Sequence, residues 1–178
     1  NNVTLNSPLT LTGCNVLTVS NGLTFGGSGS ITTASAFCQT LVFSGTQTIS
    51  GTGTINLGNG SMGVTGAGTV LTIAPGIIIQ AAGSNGSVNV PTGCSIQNQG
   101  TFRANAASRV LEVIGQGSFT NAAAATVEAS AGGTINMTLS SWTNGGTYLI
   151  NAGTLNLGGT YASLGTINSI DKLEQYVD

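Results

Sequence analysis

Histidine is absent from this 178-residue chain, and only eight residues are charged, three Lys or Arg and five Asp or Glu. The first absence removes the usual general base near neutral pH and the commonest metal ligand. The second excludes binding to nucleic acid or to anionic membranes by electrostatics, since both need clustered Lys or Arg to displace counterions. All eight charges lie from Arg103 onward, so no catalytic acid or base can sit in the first 102 residues. Long apolar runs are also lacking. The longest, around Ile77, Ile78 and Ile79, falls far short of the about 18 residues that a membrane-spanning helix needs, so no membrane insertion is expected. The chain starts at Asn1 without a basic segment leading into an apolar one, which reads as an internal cut with any export signal removed or left out.

What the chain does contain is Gly (28), Thr (26), Ser (18) and Asn (17), together half of its residues. A shift of 24 superposes Cys14 on Cys38, Leu17 on Leu41, Val19 on Phe43 and Ser20 on Ser44. It continues with Thr24 on Thr48, Phe25 on Ile49, Gly27 on Gly51, Gly29 on Gly53, Ser30 on Thr54 and Ile31 on Ile55. In the second half Ile96, Phe119 and Trp142 fall 23 apart, each followed two residues later by an asparagine, Asn98, Asn121 and Asn144. Apolar-x-apolar triplets begin at Leu17, Leu41, Leu71, Val88, Leu111, Ile135 and Leu155, with steps of 24, 30, 17, 23, 24 and 20. The uneven pair of steps marks an inserted loop and a shortened turn, or a misassigned triplet between residues 57 and 88.

Between these anchors apolar and polar residues alternate with period two, broken by frequent glycine, which reads as strands joined by turns with positive φ. The four-residue run Ala122–Ala125 is too short to nucleate a helix. A unit of about 23 residues cannot bury its apolar face alone and must stack on copies of itself. The expected fold is all-β: a right-handed parallel β-helix of about seven rungs over residues 1–170, the hand following from the preference of parallel crossovers. At the strand spacing of about 4.8 Å such a rod is about 34 Å tall. Residues 171–178, which hold Asp171, Lys172, Glu174 and Asp178, form either a frayed charged tail or an amphipathic cap through Ile170, Leu173 and Val177.

Stacking assigns roles to particular residues. Ile96, Phe119 and Trp142 form one column of the lumen. Asn98, Asn121 and Asn144 either form an amide ladder at a corner or are ordinary turn asparagines. Cys14 and Cys38 come within disulfide reach in adjacent rungs, as a bridge or as two small buried thiols, while Cys94 falls in another column, unpaired or linked to another chain. Three cysteines without histidine or a C-x-x-C pair do not make a zinc site, and no cofactor is expected. Glycine clusters at 26–29 and 51–53 lack the Gly-Lys-Ser/Thr of a phosphate loop and are turns. Glu112 and Glu128 imitate the paired carboxylates of a glycosidase, but with Arg103 and Arg109 they fit surface ion pairs better.

The stretches SGTQTISGTGTIN at 44–56, LTIAPGIIIQ at 71–80, SFTN at 118–121 and GTLNLGG at 153–159 resemble the repeats of large secreted bacterial β-helix proteins. These are the filamentous haemagglutinin-like and autotransporter-passenger-like surface proteins. The resemblance covers nearly the whole chain and implies an exported rod that displays or adheres, with no catalytic residue carried over. The expectation is a non-enzymatic module of an extracellular or cell-surface rod, stalk or filament, whose partners are further rungs or copies of the same kind and surface glycans. The first rung, entered directly at Val3-Thr4-Leu5, has no visible cap. The alternative is a carbohydrate-binding or carbohydrate-cleaving β-helix using Trp142, Tyr148 or Tyr161 as stacking platforms. Ice binding through Thr46-Gln-Thr48 and Thr52-Gly-Thr54 is disfavoured because those pairs do not recur in the sequence at each repeat.

Overall fold

The computed structural model describes residues 2–34, 39–169 and 173–175. The chain is an all-β parallel β-solenoid of about seven turns with rungs of roughly 23 residues. Each turn has three sides. The first turn comprises β1 (Val3–Leu5), β2 (Pro8–Leu11) and β3 (Val16–Ser20), and the second β4 (Leu23–Phe25), β5 (Ser30–Thr33) and β6 (Thr40–Ser44). Next come β7 (Gln47–Gly51), β8 (Gly53–Leu57) and β9 (Ser61–Thr65), then β10 (Val70–Ile73), β11 (Ile77–Ala81) and β12 (Gly86–Asn89). They are followed by β13 (Ser95–Asn98) and β14 (Thr101–Ala104). From there the third side runs on into the first without a break, in β15 (Val110–Asn121), β17 (Thr134–Asn144) and β19 (Thr154–Ser163). The second side continues as β16 (Thr126–Ser130), β18 (Thr147–Asn151) and β20 (Thr166–Ser169), and β21 (Leu173–Gln175) returns to the third.

Strand alternation builds the lumen. In β6 Leu41 and Phe43 point in while Thr40, Val42 and Ser44 point out, as the period-two pattern requires. One turn away the same face recurs, so Leu17 lies on Leu41 and Val19 on Phe43. The second side stacks Leu9, Ile31, Ile55, Ile79, Phe102, Val127 and Tyr148 in one column. Phe102 meets Phe119 of the first side edge to face, with ring centroids 5.2 Å apart and planes at 84°. Glycine is required where a corner strand crosses the one below. At Gly51, with φ of 84°, a Cβ would lie 1.9 Å from the Phe25 carbonyl oxygen, and no backbone shift of ordinary size relieves that.

Two register expectations are corrected. Leu23 lies on Ile49, Thr24 on Ser50 and Phe25 on Gly51, a step of 26, although Ser30 returns to Thr54 at 24. The upper corner holds two more residues than the lower, and one of them, Gln47, is buried there. Its amide donates to the carbonyls of Val19 (3.0 Å) and Ser44 (2.9 Å) and accepts from the Gly22 amide (3.0 Å). The extra residues are thus held by a polar plug that satisfies three backbone groups, and the next corner absorbs the difference. Second, Leu71 is not the partner of Leu41. It belongs to the first side, between Gln47 and Ile96, and the third-side column runs from Leu41 through Met62 to Val88. The steps of 30 and 17 become 21 and 26, and the following step of 23 becomes 25, because Val88 lies on Val113 while Leu111 lies on Gly86. All three sides share the same alternation, so a triplet does not declare its side.

At the far end Leu155 lies on Leu173, so the stack continues past residue 170. Residues 170–172 and 176–178, on which the proposed cap also depends, lie outside the described residues.

Tyr148 is fully buried, and its hydroxyl donates to the Met137 sulfur at 3.7 Å. Burial pushes this phenol above its ordinary value near 10, because the phenolate cannot be solvated in the lumen. The folded state therefore keeps a proton that the unfolded chain releases, and the stabilisation is complete below about pH 10 and lost as pH rises beyond it. Urea unfolding at pH 9 and 11 should show this loss, and Tyr148→Phe should make it shallower.

Candidate functional site: the open first turn and a polar groove

The first side carries both second-half series read from the sequence. Ile96 lies on Phe119 and Phe119 on Trp142, all three buried, and the next turn places Tyr161 over Trp142 with ring centroids 5.2 Å apart. Trp142 donates its indole N–H to the Gly158 carbonyl at 3.0 Å and meets Tyr148 edge on at 5.9 Å. Trp142 and Tyr148 are therefore lumen side chains, and neither can act as a sugar platform; of the three aromatics proposed for that role only Tyr161 is exposed, at 41%.

Asn98, Asn121 and Asn144 stack in adjacent turns and are buried. Asn98 Nδ2 donates to Asn121 Oδ1 at 2.7 Å and Asn121 Nδ2 to Asn144 Oδ1 at 2.8 Å, and the series ends with Asn144 Nδ2 on the Leu164 carbonyl at 2.7 Å. Each amide also serves its own corner: Asn98 Oδ1 accepts from Gly100 N, Asn144 Oδ1 from Gly146 N, and Asn121 Nδ2 donates to Ala125 O. In the turns below, the same column is Leu23, Ile49 and Ile73.

Cys14 is disulfide-bonded, and Cys38 lies outside the described residues. Cys94 is a free, buried thiol 3.2 Å from the Gly66 carbonyl. The charges do not assemble into a catalytic pair. Glu112 is on the third side and Glu128 on the second. Register sets Arg103 beside Glu128, yet the guanidinium donates to the Gln80 side-chain Oε1 through Nε (3.1 Å) and a terminal nitrogen (2.5 Å), while Glu128 accepts from the Ser130 hydroxyl at 2.7 Å. The ion pair expected there is replaced by a ladder in which Arg103 bonds Gln80, Gln80 bonds Asn56 and Asn56 bonds Thr32. Among the described residues no group of three or more Cys, Asp or Glu is placed to hold a metal ion. Threonines do align once register is known: Thr101, Thr126, Thr147 and Thr166 share a second-side column with Thr54, interrupted by Ile78.

Two surfaces remain. The first is the edge of the opening turn, where β1, β2 and β3 each pair on one side only among the described residues. Val3 is 48% and Val16 64% exposed, and Leu5, Leu9 and Leu17 are only partly buried. One turn on, Leu23, Phe25, Ile31 and Leu41 lie over Val3, Leu5, Leu9 and Leu17 and are buried, whereas Thr40, over Val16, faces outward.

The second is a groove on the outer surface where the third side bends into the first. Its main part, about 710 Å³, is lined by Glu112, Gln116, Asn136, Thr138, Ser140 and Asn156 among others. A further depression of about 350 Å³ extends it toward the opening turn past Ser61 and Ser87, sharing Glu112 and Asn136. The walls follow from register, because Ser61, Ser87, Glu112, Asn136 and Asn156 are successive partners in one outward column. The bend itself sits at register shifts beside Gly115 and Leu139. Sequence spacing missed this column because its residues differ in type and their offsets are unequal. Comparison with protein-family models, with curated proteins and with solved structures finds no match.

Proposed function

We propose that the chain is a non-catalytic structural module of an extracellular bacterial rod, stalk or filament that lengthens by stacking of solenoid ends. The observation that carries this reading is the opening turn, whose three strands each pair on one side only among the described residues, around half-covered Leu5, Leu9 and Leu17. Solenoids protect such edges with polar caps, inward charges or covering elements, because an open edge templates further pairing. The surface there has no charge to repel another rung, and the first 102 residues have none at all. The partner of matching geometry is more solenoid, whether from the same polypeptide or from another copy.

Supporting the non-catalytic part, Glu112 and Glu128 stand on different sides of the coil. Supporting the extracellular part, Cys14 is engaged in a disulfide, a bond that persists in oxidising compartments. The grammar of the turns favours the haemagglutinin-like and autotransporter-like proteins as the wider setting, and the preference of parallel crossovers makes the coil right-handed.

Electron microscopy of the purified chain tests the assembly. Rods longer than the about 34 Å of one copy are expected. Leu17→Lys, which aims a charge into the open lumen edge, should leave single copies at the same concentration. A compact monomer that resists concentration, or rods unaffected by the lysine, would sink the stacking proposal.

A further inference from the structure

We propose that the groove along the third side binds a linear, uncharged glycan laid parallel to the solenoid axis. The argument starts from what lines it. Ser61, Ser87, Glu112, Asn136 and Asn156 follow one another at one residue per turn, so hydroxyl, carboxylate and amide groups repeat at about 4.8 Å over about 19 Å. That is an extended site, suited to a chain that presents similar groups at each step. Amides and hydroxyls both donate and accept, and Glu112, exposed near the middle, adds an acceptor able to take two hydroxyl protons.

Other ligand classes fit less well. The one ionisable side chain in the walls is an acid, so a polyanion such as a nucleic acid or an acidic polysaccharide meets repulsion and no compensating cation. Leu139, the one large apolar side chain of the main groove, is buried, so an acyl chain or apolar peptide meets no large apolar side chain to pack against there. The strands beneath are paired on both sides through β12, β15 and β17, which leaves no edge for a peptide to add to as a further strand. A neutral polyhydroxylated chain is what the donors and acceptors match.

The inference supplies the rod reading with an adhesive surface and rests on it only for that role. The isotope-labelled 178-residue chain would be titrated with cellohexaose, chitohexaose and hexagalacturonate, following backbone amide shifts. Expected is binding of a neutral hexasaccharide at about 1 mM or tighter, with shifts centred on Glu112 and Asn136. Asn136→Ala and Glu112→Ala should each weaken it about tenfold, and Thr72→Ala on the first side should leave it unchanged. The proposal is overturned if neither neutral hexasaccharide binds, if binding survives both groove substitutions, or if hexagalacturonate binds equally well. The titration does not read filament growth, so glycan binding without rods, or rods without glycan binding, identifies which of the two proposals has failed.

Discussion

Replacing Asn121 by alanine is expected to lower the stability of the chain by about 3–5 kcal/mol, because the loss combines unmet buried hydrogen bonds with a cavity. Asn121 is the middle member of the amide series and has a ladder partner on each side. Its removal leaves Asn98 Nδ2 without its 2.7 Å acceptor, Asn144 Oδ1 without its 2.8 Å donor, and the Ala125 carbonyl without a side-chain bond. All of this happens where water does not reach, since the three asparagines are at most 1% exposed. Asn98 Nδ2 keeps only longer bonds to the Gly100 and Thr126 carbonyls and Asn144 Oδ1 only the Gly146 amide, and each lost buried bond costs about 1 kcal/mol on top of the cavity, so the variant is destabilised. Asn121→Leu separates the two contributions. It fills the space, as Ile49 and Ile73 do lower in the column, and still removes the bonds to Asn98 and Asn144, so it should recover only part of the loss. At a urea slope of about 2–3 kcal/mol/M, Asn121→Ala should move the unfolding midpoint down by about 1–2 M. A shift of a few tenths would mean that the corner relaxes to admit water and that the ladder is incidental.

The same column shows why some of the fold could be read before any coordinates and some could not. Ile96, Phe119 and Trp142 were legible because aromatics are scarce here, at 5% of the chain, and their spacing of 23 was kept over three turns, with the asparagines locked to it. Leu17 and Leu41 were legible for the same reason. Gln47 was not, because a glutamine among Thr and Ser reads as outward; only the three-dimensional corner shows that its amide replaces backbone partners. Met62 was hidden by the likeness of all three sides, which allowed Leu71 to take its place in the count. The groove was hidden for a different reason. A lumen column announces itself by hydrophobicity, whereas an outward column is constrained only by solvation, so Ser61, Ser87, Glu112, Asn136 and Asn156 share no residue type and no constant offset.

Trp142→Ala is expected to cost about 3–5 kcal/mol, the usual range for emptying a large aromatic site in a packed interior. The indole is 1% exposed and lies between Phe119 below and Tyr161 above, with Tyr148 against its edge and its N–H on the Gly158 carbonyl. No neighbour can fill the void, since Phe119 is fixed by its edge-to-face contact with Phe102 and the backbones above and below are tied in ladders. The damage should be local. In a solenoid each turn touches only its neighbours, so stability is close to a sum of turn and interface contributions and need not be lost all at once. Trp142 sits in the interfaces of β17 with β15 and with β19. Hydrogen exchange on Trp142→Ala should therefore show β17, β18, β19 and β20 opening together under conditions where β4 to β11 remain protected. An Asn121→Ala chain, broken one turn earlier, should release β15 and β16 as well. Uniform loss of protection along the whole chain in both variants would mean that the coil unfolds as a single unit, and the turn-by-turn account of its stability would then be wrong.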